Sequence, residues 1–392
     1  MISAGLVKTS LKKGGPVHYI KPLQCGGSDE AFVNKYAAGA TAATLFSWDT
    51  PASPHVASIK ENAPQSDKQV LTALEQRLAE ITATPATTWI ETAGGVLSPS
   101  SASPLNSAPN HASSTNGWGW STQADLYQPL LGIAPVVLVG DGRLGGISAT
   151  LSSLESLILR GYDVAGMVLL ETDHDNISAL REHAGRTLKL RAGTGQALFR
   201  NPKASIVSLP ELPPQDEPLH EWYDSAQVAE TLESFDQHLE ESWNRRVEDV
   251  QAMRQGGRDT FWWPFTQHGN VEDDTKVTLI DSANGDNYQV LKDGDKGLEL
   301  RPMVDACASW WTQGVGHGES TMALAVAAAA GRFGHVIFPD VVHQPALRLS
   351  QRLIGPKGPG YGWASRVFFT DDGSTAMEVS VKMGMKTYQN ET

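Results

Sequence analysis

Two groups of residues have types and spacing suited to binding phosphate or a metal ion. The first is Gly373-Ser374, which follows the apolar run at 367–369 and opens a helix-forming stretch. Free backbone N–H groups at a helix start, together with a serine hydroxyl, are suited to hold a phosphate. The second group lies towards the other end of the sequence and consists of Lys21, Asp29 and Glu91.

The second group combines one ammonium with two carboxylates. Lys21 follows a predicted strand at 17–20, and Glu91 follows a predicted strand at 87–90. Residues just past the carboxyl ends of strands face the ligand crevice of an α/β sheet. Asp29 follows Ser28, an expected helix N-cap. Together the three side chains suit a magnesium–phosphate site, although Glu91 before the glycine pair Gly94-Gly95 is equally compatible with a plain turn.

The elements that must position these residues alternate between strand and helix over residues 1–225. Short apolar strands with helices between them predict a doubly wound parallel-sheet α/β domain. A polar stretch at 97–116, rich in Ser, Pro, Ala and Asn, predicts a surface loop. We predict helices at 67–81 and 149–159, and strands at 134–139 and 164–170.

Apolar residues repeat every three or four positions between 226 and 257, which predicts one long amphipathic helix. We expect Gly256-Gly257 to stop it, and we assign 226–258 as a linker between two domains. A packed terminal helix or connector is the plainer interpretation, and a dedicated partner helix is the alternative.

Residues 259–392 follow a different pattern. Turn signals at Asn284-Gly285-Asp286 and Asp293-Gly294-Asp295 predict a hairpin-like stretch. Beyond them we predict helices at 320–333 and 345–353, and a strand beginning at Val367.

Composition excludes several classes of protein. With 31 Lys and Arg against 44 Asp and Glu, the 392 residues carry a net charge of −13, so broad nucleic-acid binding is not expected. Two cysteines without a CxxC spacing argue against a disulfide framework or a zinc site and favour a reducing compartment. No apolar run reaches membrane-spanning length, and residues 1–15 resemble neither a secretory signal nor a transit peptide.

Over residues 1–225 the motifs resemble those of dethiobiotin synthetases. The resemblance rests on Tyr19-Ile20-Lys21-Pro22, Ser28-Asp29, Ser53-Pro54-His55, Ile90 to Gly95 and Val139 to Ile147. It implies ATP- and Mg²⁺-dependent closure of a ureido ring on 7,8-diaminopelargonate with CO2. It also implies that catalytic Lys21 holds the substrate carbamate and phosphate, that Asp29 and Glu91 bind magnesium, and that Gly94 and Gly95 line the substrate or nucleotide crevice.

One departure from that family stands out: the sequence contains no GxxxxGK[ST] phosphate-binding loop. Val7-Lys8-Thr9 lacks the preceding glycines, so Lys8 is expected to be an ordinary helix residue. Because Ile2 to Leu6 matches the helix that follows the loop in the family, we expect the sequence to begin just after it. ATP binding is then expected to be much weakened.

Residues 259–392 resemble the N-terminal part of diaminopelargonate aminotransferases, which are fold-type I enzymes that use pyridoxal phosphate. The resemblance rests on Trp262 to His268, Ala308 to Trp311, Gly316 to Gly318 and Asp371 to Glu378. It implies transamination of 8-amino-7-oxononanoate with S-adenosylmethionine as donor. Gly373 and Ser374 would bind the cofactor phosphate, and Phe265 and Trp310 would line the substrate pocket. A buried core role is the alternative for the tryptophan pair, although the flanking motifs favour a site.

The order of the two parts resembles the fused biotin-synthesis proteins of fungi and plants. We therefore expect a P-loop-type synthetase domain followed by part of a fold-type I aminotransferase, with small-molecule substrates, no membrane or nucleic-acid partner, and a homodimer. The resemblance implies a mitochondrial location, with the cytoplasm as alternative. The alternative function is a catalytically incomplete fragment that binds or oligomerises, since Lys382 and Lys386 are expected on a solvated helix face and not at the cofactor aldehyde. A third hypothesis, a generic ATPase fused to another transaminase, fits less well because both halves point to adjacent steps of one pathway.

Overall fold

The computed structural model describes residues 1–81, 85–100, 121–186, 205–214, 217–267, 269, 277–294, 297–336 and 339–391, without the side chains of 184–186 and 391. Most of the loop predicted at 97–116, and His268 of the aromatic motif, lie outside these residues. The chain divides into two compact units, Met1–Leu324 and Ala325–Thr392, and each is described by itself.

Six strands of the first unit form two parallel three-stranded sheets. They are β1 (Val17–Cys25), β2 (Thr41–Trp48), β3 (Thr87–Ile90), β4 (Val136–Val139), β5 (Val164–Leu170) and β6 (Ile206–Leu209). The strand orders are β2-β1-β3 and β4-β5-β6. The predicted mixed α/β architecture with parallel pairing is confirmed. The doubly wound pattern predicts a single sheet, but the structure has two separate sheets. Within the described residues no ladder hydrogen bonds join β3 to β4.

Helices alternate with these strands. They are α1 (Ile2–Leu11), α2 (Asp29–Tyr36), α3 (Pro54–Lys60), α4 (Asp67–Ile81), α5 (Gln123–Leu126), α6 (Gly146–Ile158), α7 (Asn176–Arg186), α8 (His220–Asp224) and α9 (Ala226–Thr260). A 3₁₀ turn covers Gln128–Leu130. The helix predicted at 67–81 has those bounds. Lys8 lies in α1 and pairs with the Asp224 carboxylate at 2.6 Å, as an ordinary helix lysine does.

The two parallel sheets share one apolar core although their strands are not hydrogen-bonded to each other. Tyr19 of β1, Val168 of β5 and Leu209 of β6 all have no exposed surface and belong to one cluster with side chains of α1 and α9. Side-chain packing, which is not directional, therefore holds together sheets that are not joined by ladder hydrogen bonds.

The long helix α9 runs to Thr260 and is not stopped by Gly256-Gly257, so that part of the prediction was wrong. Glycine lowers helix stability by about 1 kcal/mol but does not forbid helical dihedrals. The helix ends where Phe261 turns to extended backbone, and the Phe261 N–H still donates to the Gly257 carbonyl at 2.9 Å.

The helix α9 packs against two different cores. Its first half contributes Val228, Leu232, Phe235 and Leu239 to the core of the parallel sheets. Its second half places Trp243, Val247 and Val250 against Leu279, Leu291 and Leu300. This distribution explains why the apolar period persists along the whole helix. The predicted domain limits at 225 and 258 stay a prediction.

An antiparallel meander follows α9, built from β7 (Ile280–Asn284), β8 (Asn287–Gly294) and β9 (Gly297–Val304). The turn at Gly285-Asp286 joins the first two strands and confirms the first predicted hairpin turn. Gly285 has φ +56, a conformation that favours glycine. Asp295 of the second turn signal lies outside the described residues.

Three further helices complete the chain: α10 (Ser320–Phe333), α11 (Gln344–Ile354) and α12 (Gly373–Glu391). The strand predicted at Val367 is absent, since the described residues around it are irregular. An extended segment without a neighbouring strand leaves its backbone groups unpaired, so sequence propensity alone does not make it a strand. Among the described residues, no helix combines the length and apolar character that crossing a bilayer requires.

Arg246 of α9 holds the meander to the first α/β elements. Its guanidinium donates to both carboxylate oxygens of Asp281 at 2.8 and 2.5 Å, to Asp163 at 3.0 Å and to the Leu131 carbonyl at 3.2 Å. The Arg246 and Asp281 side chains are 15% and 7% exposed, so the pair is largely shielded from solvent. Burial disfavours the charged form, but Asp281 and Asp163 outweigh it and raise the pKa of Arg246.

Arg246→Ala is expected to lower the free energy of unfolding by about 3 kcal/mol, because it leaves the buried Asp281 carboxylate without its cationic partner. Arg301→Ala removes an exposed pair with Glu299 and serves as the matched control, with a loss below about 1 kcal/mol. Urea unfolding followed by circular dichroism measures both. Equal losses in the two variants would contradict the role given to Arg246.

Candidate active site

Lys21 and Glu91 meet because β1 and β3 pair in parallel. Glu91 follows the end of β3 as predicted, but Lys21 lies inside β1, so the strand end predicted at residue 20 was wrong: pairing with β2 continues β1 to Cys25. Ile20 is opposite Ile90, and the Glu91 N–H donates to the Ile20 carbonyl at 2.9 Å. The Lys21 ammonium then lies 2.8 Å from Glu91 Oε1 and donates to the Thr92 carbonyl at 3.2 Å. With 5% of its surface exposed, Lys21 is a buried cation.

Asp29 completes the group from the start of α2. Ser28 is the N-cap, and its hydroxyl accepts from the Ala31 N–H at 3.0 Å, as expected from the sequence. The Gln24 carboxamide oxygen accepts from the Asp29 N–H at 3.3 Å. Held this way, Asp29 Oδ2 lies 2.6 Å from the Lys21 ammonium. The structure thus brings together the three charged residues selected from the sequence.

The charges of this group are interdependent. Burial opposes ionisation of Glu91, but the Lys21 ammonium outweighs burial and holds the pKa of the Glu91 carboxyl below its ordinary value. Glu91 is therefore an anion at neutral pH. An ammonium shared by two carboxylates can change partners without leaving the site, which suits a group that must accept a substrate anion.

The segment after β3 is a tight turn that requires glycine at one position. Gly94 has φ +79, and a Cβ there would lie 2.8 Å from Ser98 Oγ. The Gly95 N–H donates to the same hydroxyl at 2.9 Å, and the Gln123 carboxamide accepts from the Ala93 N–H at 3.2 Å. Gly94 and Gly95 therefore hold the turn beside Glu91, while their predicted role in lining a crevice stays a prediction.

Magnesium fits this group only in company with a phosphate. In the described part of the chain no cluster of three or more His, Cys, Asp or Glu side chains is placed to hold a metal. Asp29 and Glu91 offer hard oxygen ligands, but only two carboxylates are present and both contact Lys21. Mg²⁺ is commonly held by one or two carboxylates together with substrate phosphates and water, which matches this set.

A cavity of about 230 Å³ beyond the carboxyl ends of β5 and β6 was not predicted from the sequence. Glu171, Thr172 and Ser208 line it, and the Ser208 hydroxyl donates to Glu171 at 2.7 Å. Asn176 supports the neighbouring loop by donating to the Asp141 and Arg143 carbonyls, both at 2.9 Å. The strand-end rule that selected Lys21 and Glu91 would also have found Glu171, because it directly follows β5.

Phe265 and Trp310 lie side by side in the first unit. Their ring centroids are 5.4 Å apart with the rings at 72°, and they are 93% and 57% exposed. Trp311 is 81% exposed. None of these rings is in the core, which disfavours the core alternative for the tryptophan pair. Their role in binding a substrate stays a prediction.

The tryptophans belong to a left-handed turn that sequence patterns did not indicate. Ala308, Ser309, Trp310 and Trp311 have φ of 45, 48, 65 and 69. Side chains disfavour this region by roughly 1–2 kcal/mol per residue. Asp305 anchors the turn by accepting from the Cys307 N–H at 3.3 Å, and it lies 2.8 Å from His317 Nε2. Strained backbone held by such contacts is typical of functional sites.

Ala308→Gly is expected to raise the free energy of unfolding by about 0.5–1 kcal/mol, since glycine adopts the positive φ of this position without the Cβ clash and no side-chain hydrogen bond is lost. The control is Ala252→Gly, an exposed position inside α9 where glycine costs about 1 kcal/mol. Thermal unfolding of both variants gives the comparison. Destabilisation by Ala308→Gly equal to that of the control would contradict the strain described for this turn.

Gly373 and Ser374 open α12 in the second unit, as expected. Asp372 already occupies this helix start: its carboxylate accepts from the Thr375 N–H at 2.7 Å and the Thr375 hydroxyl at 3.2 Å. These hydrogen bonds, led by the one from the Thr375 amide, lower the pKa of Asp372. The N–H and O–H donors at the start of α12 therefore suit an anion, and a bound phosphate would compete with the Asp372 carboxylate for them.

Lys382 lies on the exposed surface of α12 and pairs with Glu378 one turn earlier. This agrees with its predicted place on a solvated face. An exposed pair at this spacing stabilises a helix only slightly.

The last third of the chain matches a known family of enzymes. Residues 270–392 match the family model for aminotransferase class-III. That segment is thus similar to class-III aminotransferases, whose members use pyridoxal phosphate.

Over most of its length the chain resembles bifunctional proteins of plants and fungi. It is 39% identical over 352 residues to the bifunctional dethiobiotin synthetase/7,8-diamino-pelargonic acid aminotransferase, mitochondrial, of Oryza sativa subsp. japonica, an alignment of 88% of this chain and 37% of that protein. The corresponding Arabidopsis thaliana protein is 37% identical, over 88% of this chain and 38% of its own length. The bifunctional dethiobiotin synthetase/adenosylmethionine-8-amino-7-oxononanoate aminotransferase of Emericella nidulans is 35% identical, over 96% of this chain and 46% of its own. The chain thus spans less than half the length of these relatives.

Proposed function

We propose that this chain acts in biotin biosynthesis. Its first part would form dethiobiotin from 7,8-diaminopelargonate and CO2 with ATP and Mg²⁺, and its second part would contribute to transamination of 8-amino-7-oxononanoate with S-adenosylmethionine. The observation that carries the proposal is the convergence of Lys21, Asp29 and Glu91 at one sheet edge. The similarity to bifunctional proteins over most of the chain supports it.

In the first part, Lys21 would be the catalytic cation. Its ammonium is buried, so its attraction for an anion is less screened than at the surface. The carbamate formed from the diamine and CO2 carries the negative charge that Lys21 would hold, and the pair Asp29 and Glu91 would face Mg²⁺. When bound, Mg·ATP supplies the phosphoryl group that activates the carbamate for ring closure. Gly94 and Gly95 allow the backbone beside Glu91 to approach the substrate or the nucleotide closely.

In the second part, the chain's own residues would hold cofactor and substrate. The amides of Gly373 and Ser374 and the Ser374 hydroxyl would bind the phosphate of pyridoxal phosphate, and the exposed faces of Phe265 and Trp310 would contact the apolar chain of the substrate. When bound, the cofactor supplies the electron sink needed for amino transfer. We further propose a homodimer and, following the names of the plant relatives, a mitochondrial location.

A second candidate is a binding or oligomerisation module without catalysis. The carboxylate of Asp372 at the predicted phosphate cradle favours it. The exposed rings of Phe265 and Trp311 offer an apolar surface for such a role.

Turnover by the whole chain tests the proposed synthetase reaction. With 7,8-diaminopelargonate, bicarbonate, Mg²⁺ and ATP at a concentration high enough to offset the weakened ATP binding, dethiobiotin is expected to form. Lys21→Met is expected to lower the rate by about a hundred-fold or more, as loss of an electrostatic catalyst does. Mass spectrometry of the product measures both. Lys60→Met changes the same charge at an exposed position and is the control.

The outcomes separate the two candidate functions. No dethiobiotin from the folded native chain supports the non-catalytic module. Turnover that survives Lys21→Met contradicts the role of Lys21 and leaves the overall reaction standing.

The affinity for pyridoxal phosphate tests the proposed phosphate site at the start of α12. Asp372→Asn keeps an oxygen for the Thr375 amide but removes its charge, so the affinity for pyridoxal phosphate is expected to rise roughly five- to ten-fold. Asp371→Asn removes the same charge next door, where no hydrogen bond to the α12 amides is described, and is expected to do less. Fluorescence titration with pyridoxal phosphate compares them, and equal effects would contradict competition by Asp372.

A further inference from the structure

Tyr19 contacts the charged group from the interior of the sheet. Its phenol donates to Glu91 Oε2 at 3.0 Å, while Lys21 holds Glu91 Oε1 at 2.8 Å. Tyr19 is 0% exposed, and no other hydrogen bond of its hydroxyl is described. The single polar atom of a buried ring is thus directed at one carboxylate oxygen.

The strand geometry explains this arrangement. Tyr19 and Lys21 are two positions apart on β1, so their side chains leave the same face of the sheet. Ile20 pairs with Ile90, so Glu91, the residue after β3, lies beside Lys21 in register and on the same face, and its N–H donates to the Ile20 carbonyl. The phenol and the ammonium therefore hold the two oxygens of one carboxylate from both sides, which fixes the plane of the carboxylate.

We infer that Tyr19 is a positioning residue that orients Glu91 for a divalent cation. This rests on the proposed function, in which Glu91 faces Mg²⁺. Tyr19 was not among the candidate site residues chosen from the sequence, and the names of the relatives assign it no role.

Lys21 and Tyr19, two of the groups around Glu91, act differently on a bound cation; Ser3 and the Met1 amino group also lower the pKa of Glu91. The Lys21 ammonium carries a positive charge and must yield part of its contact when a cation approaches Glu91. The phenol is neutral, so it keeps the carboxylate in place without opposing the cation. Burial, followed by the nearby Glu91 charge, raises the pKa of Tyr19 far above its ordinary value, so the phenol remains a donor at neutral pH.

The test is the affinity of the whole chain for Mn²⁺, which prefers the same oxygen ligands as Mg²⁺ and is followed by electron paramagnetic resonance in the presence of ATP. Tyr19→Phe is expected to weaken Mn²⁺ binding roughly ten-fold, the effect of one hydrogen bond to a charged group. Tyr162→Phe is the matched control: its hydroxyl is also buried and donates to the Ala124 carbonyl at 2.6 Å, away from Glu91. No change in Mn²⁺ affinity is expected for it.

Measuring the effect of Tyr19→Phe on Mn²⁺ affinity in a chain that also carries Glu91→Gln separates a positioning role from general packing. In a Glu91→Gln chain, Tyr19→Phe is expected to have no further effect on the affinity, because the phenol acts through the carboxylate. An equal loss in both backgrounds overturns the inference, as does unchanged affinity in Tyr19→Phe. Failure of the native chain to bind Mn²⁺ overturns the proposed metal site itself, a distinguishable result.

If Tyr19→Phe does not fold, 3-fluorotyrosine is incorporated in place of tyrosine, which keeps every ring and hydroxyl. Mn²⁺ held by Glu91 then broadens the nearest ¹⁹F resonance. Mn²⁺ binding with retention of every sharp resonance places the cation away from Tyr19 and Glu91 and overturns the inference, whereas no Mn²⁺ binding overturns the proposed metal site.

Discussion

The parallel pairing of β1 with β3 is the constraint on which the candidate site depends. The pairing of Ile20 with Ile90 places Glu91, just past the end of β3, beside Lys21 of β1, and the Glu91 carboxylate contacts both the Tyr19 phenol and the Lys21 ammonium. A slip of one residue would turn the Tyr19 and Lys21 side chains to the opposite face relative to Glu91. The full burial of Tyr19, Ile20 and Leu23 opposes such a slip. The geometry of the charged group is thus a consequence of core packing.

The strand-end residues could be predicted from the sequence because they follow from a local rule. An apolar run followed by a charged residue marks a strand end, and this rule selected Lys21 and Glu91. It holds for Glu91, whereas Lys21 lies inside β1, and the two meet through the pairing of the strands. Asp29 was found through the capping serine before it. Tyr19 was not selected as functional, since a tyrosine inside an apolar strand has the pattern of a core residue. Its role depends on which atom of Glu91 its hydroxyl contacts, and spacing does not contain that information.

Other features depend on contacts that no local pattern records. Gly256-Gly257 predicted a helix end, but helical hydrogen bonds continue through both residues to Thr260. Val367 predicted a strand, although the described residues provide no neighbouring strand for it. The left-handed turn from Ala308 to Trp311 contains no glycine, so nothing in its residue types signals positive φ. It is held by Asp305, Tyr288 and Thr312 through contacts formed only in the folded chain.

The helix α9 has a geometric consequence for how this chain can vary. With 35 residues it is about 50 Å long, and each residue turns it by about 100°. Its first half faces one core and its second half faces another, so the angle between the two apolar stripes is set by the number of residues from Leu239 to Trp243. Inserting one residue there would rotate the second stripe by more than a quarter turn and carry Arg246 away from Asp281. Two whole turns, about seven residues, would nearly restore the angle while moving the meander along the helix axis. The helix therefore sets the angle between the two cores as well as their separation. Its length can change only by nearly whole numbers of double turns if both apolar stripes are to keep facing their cores.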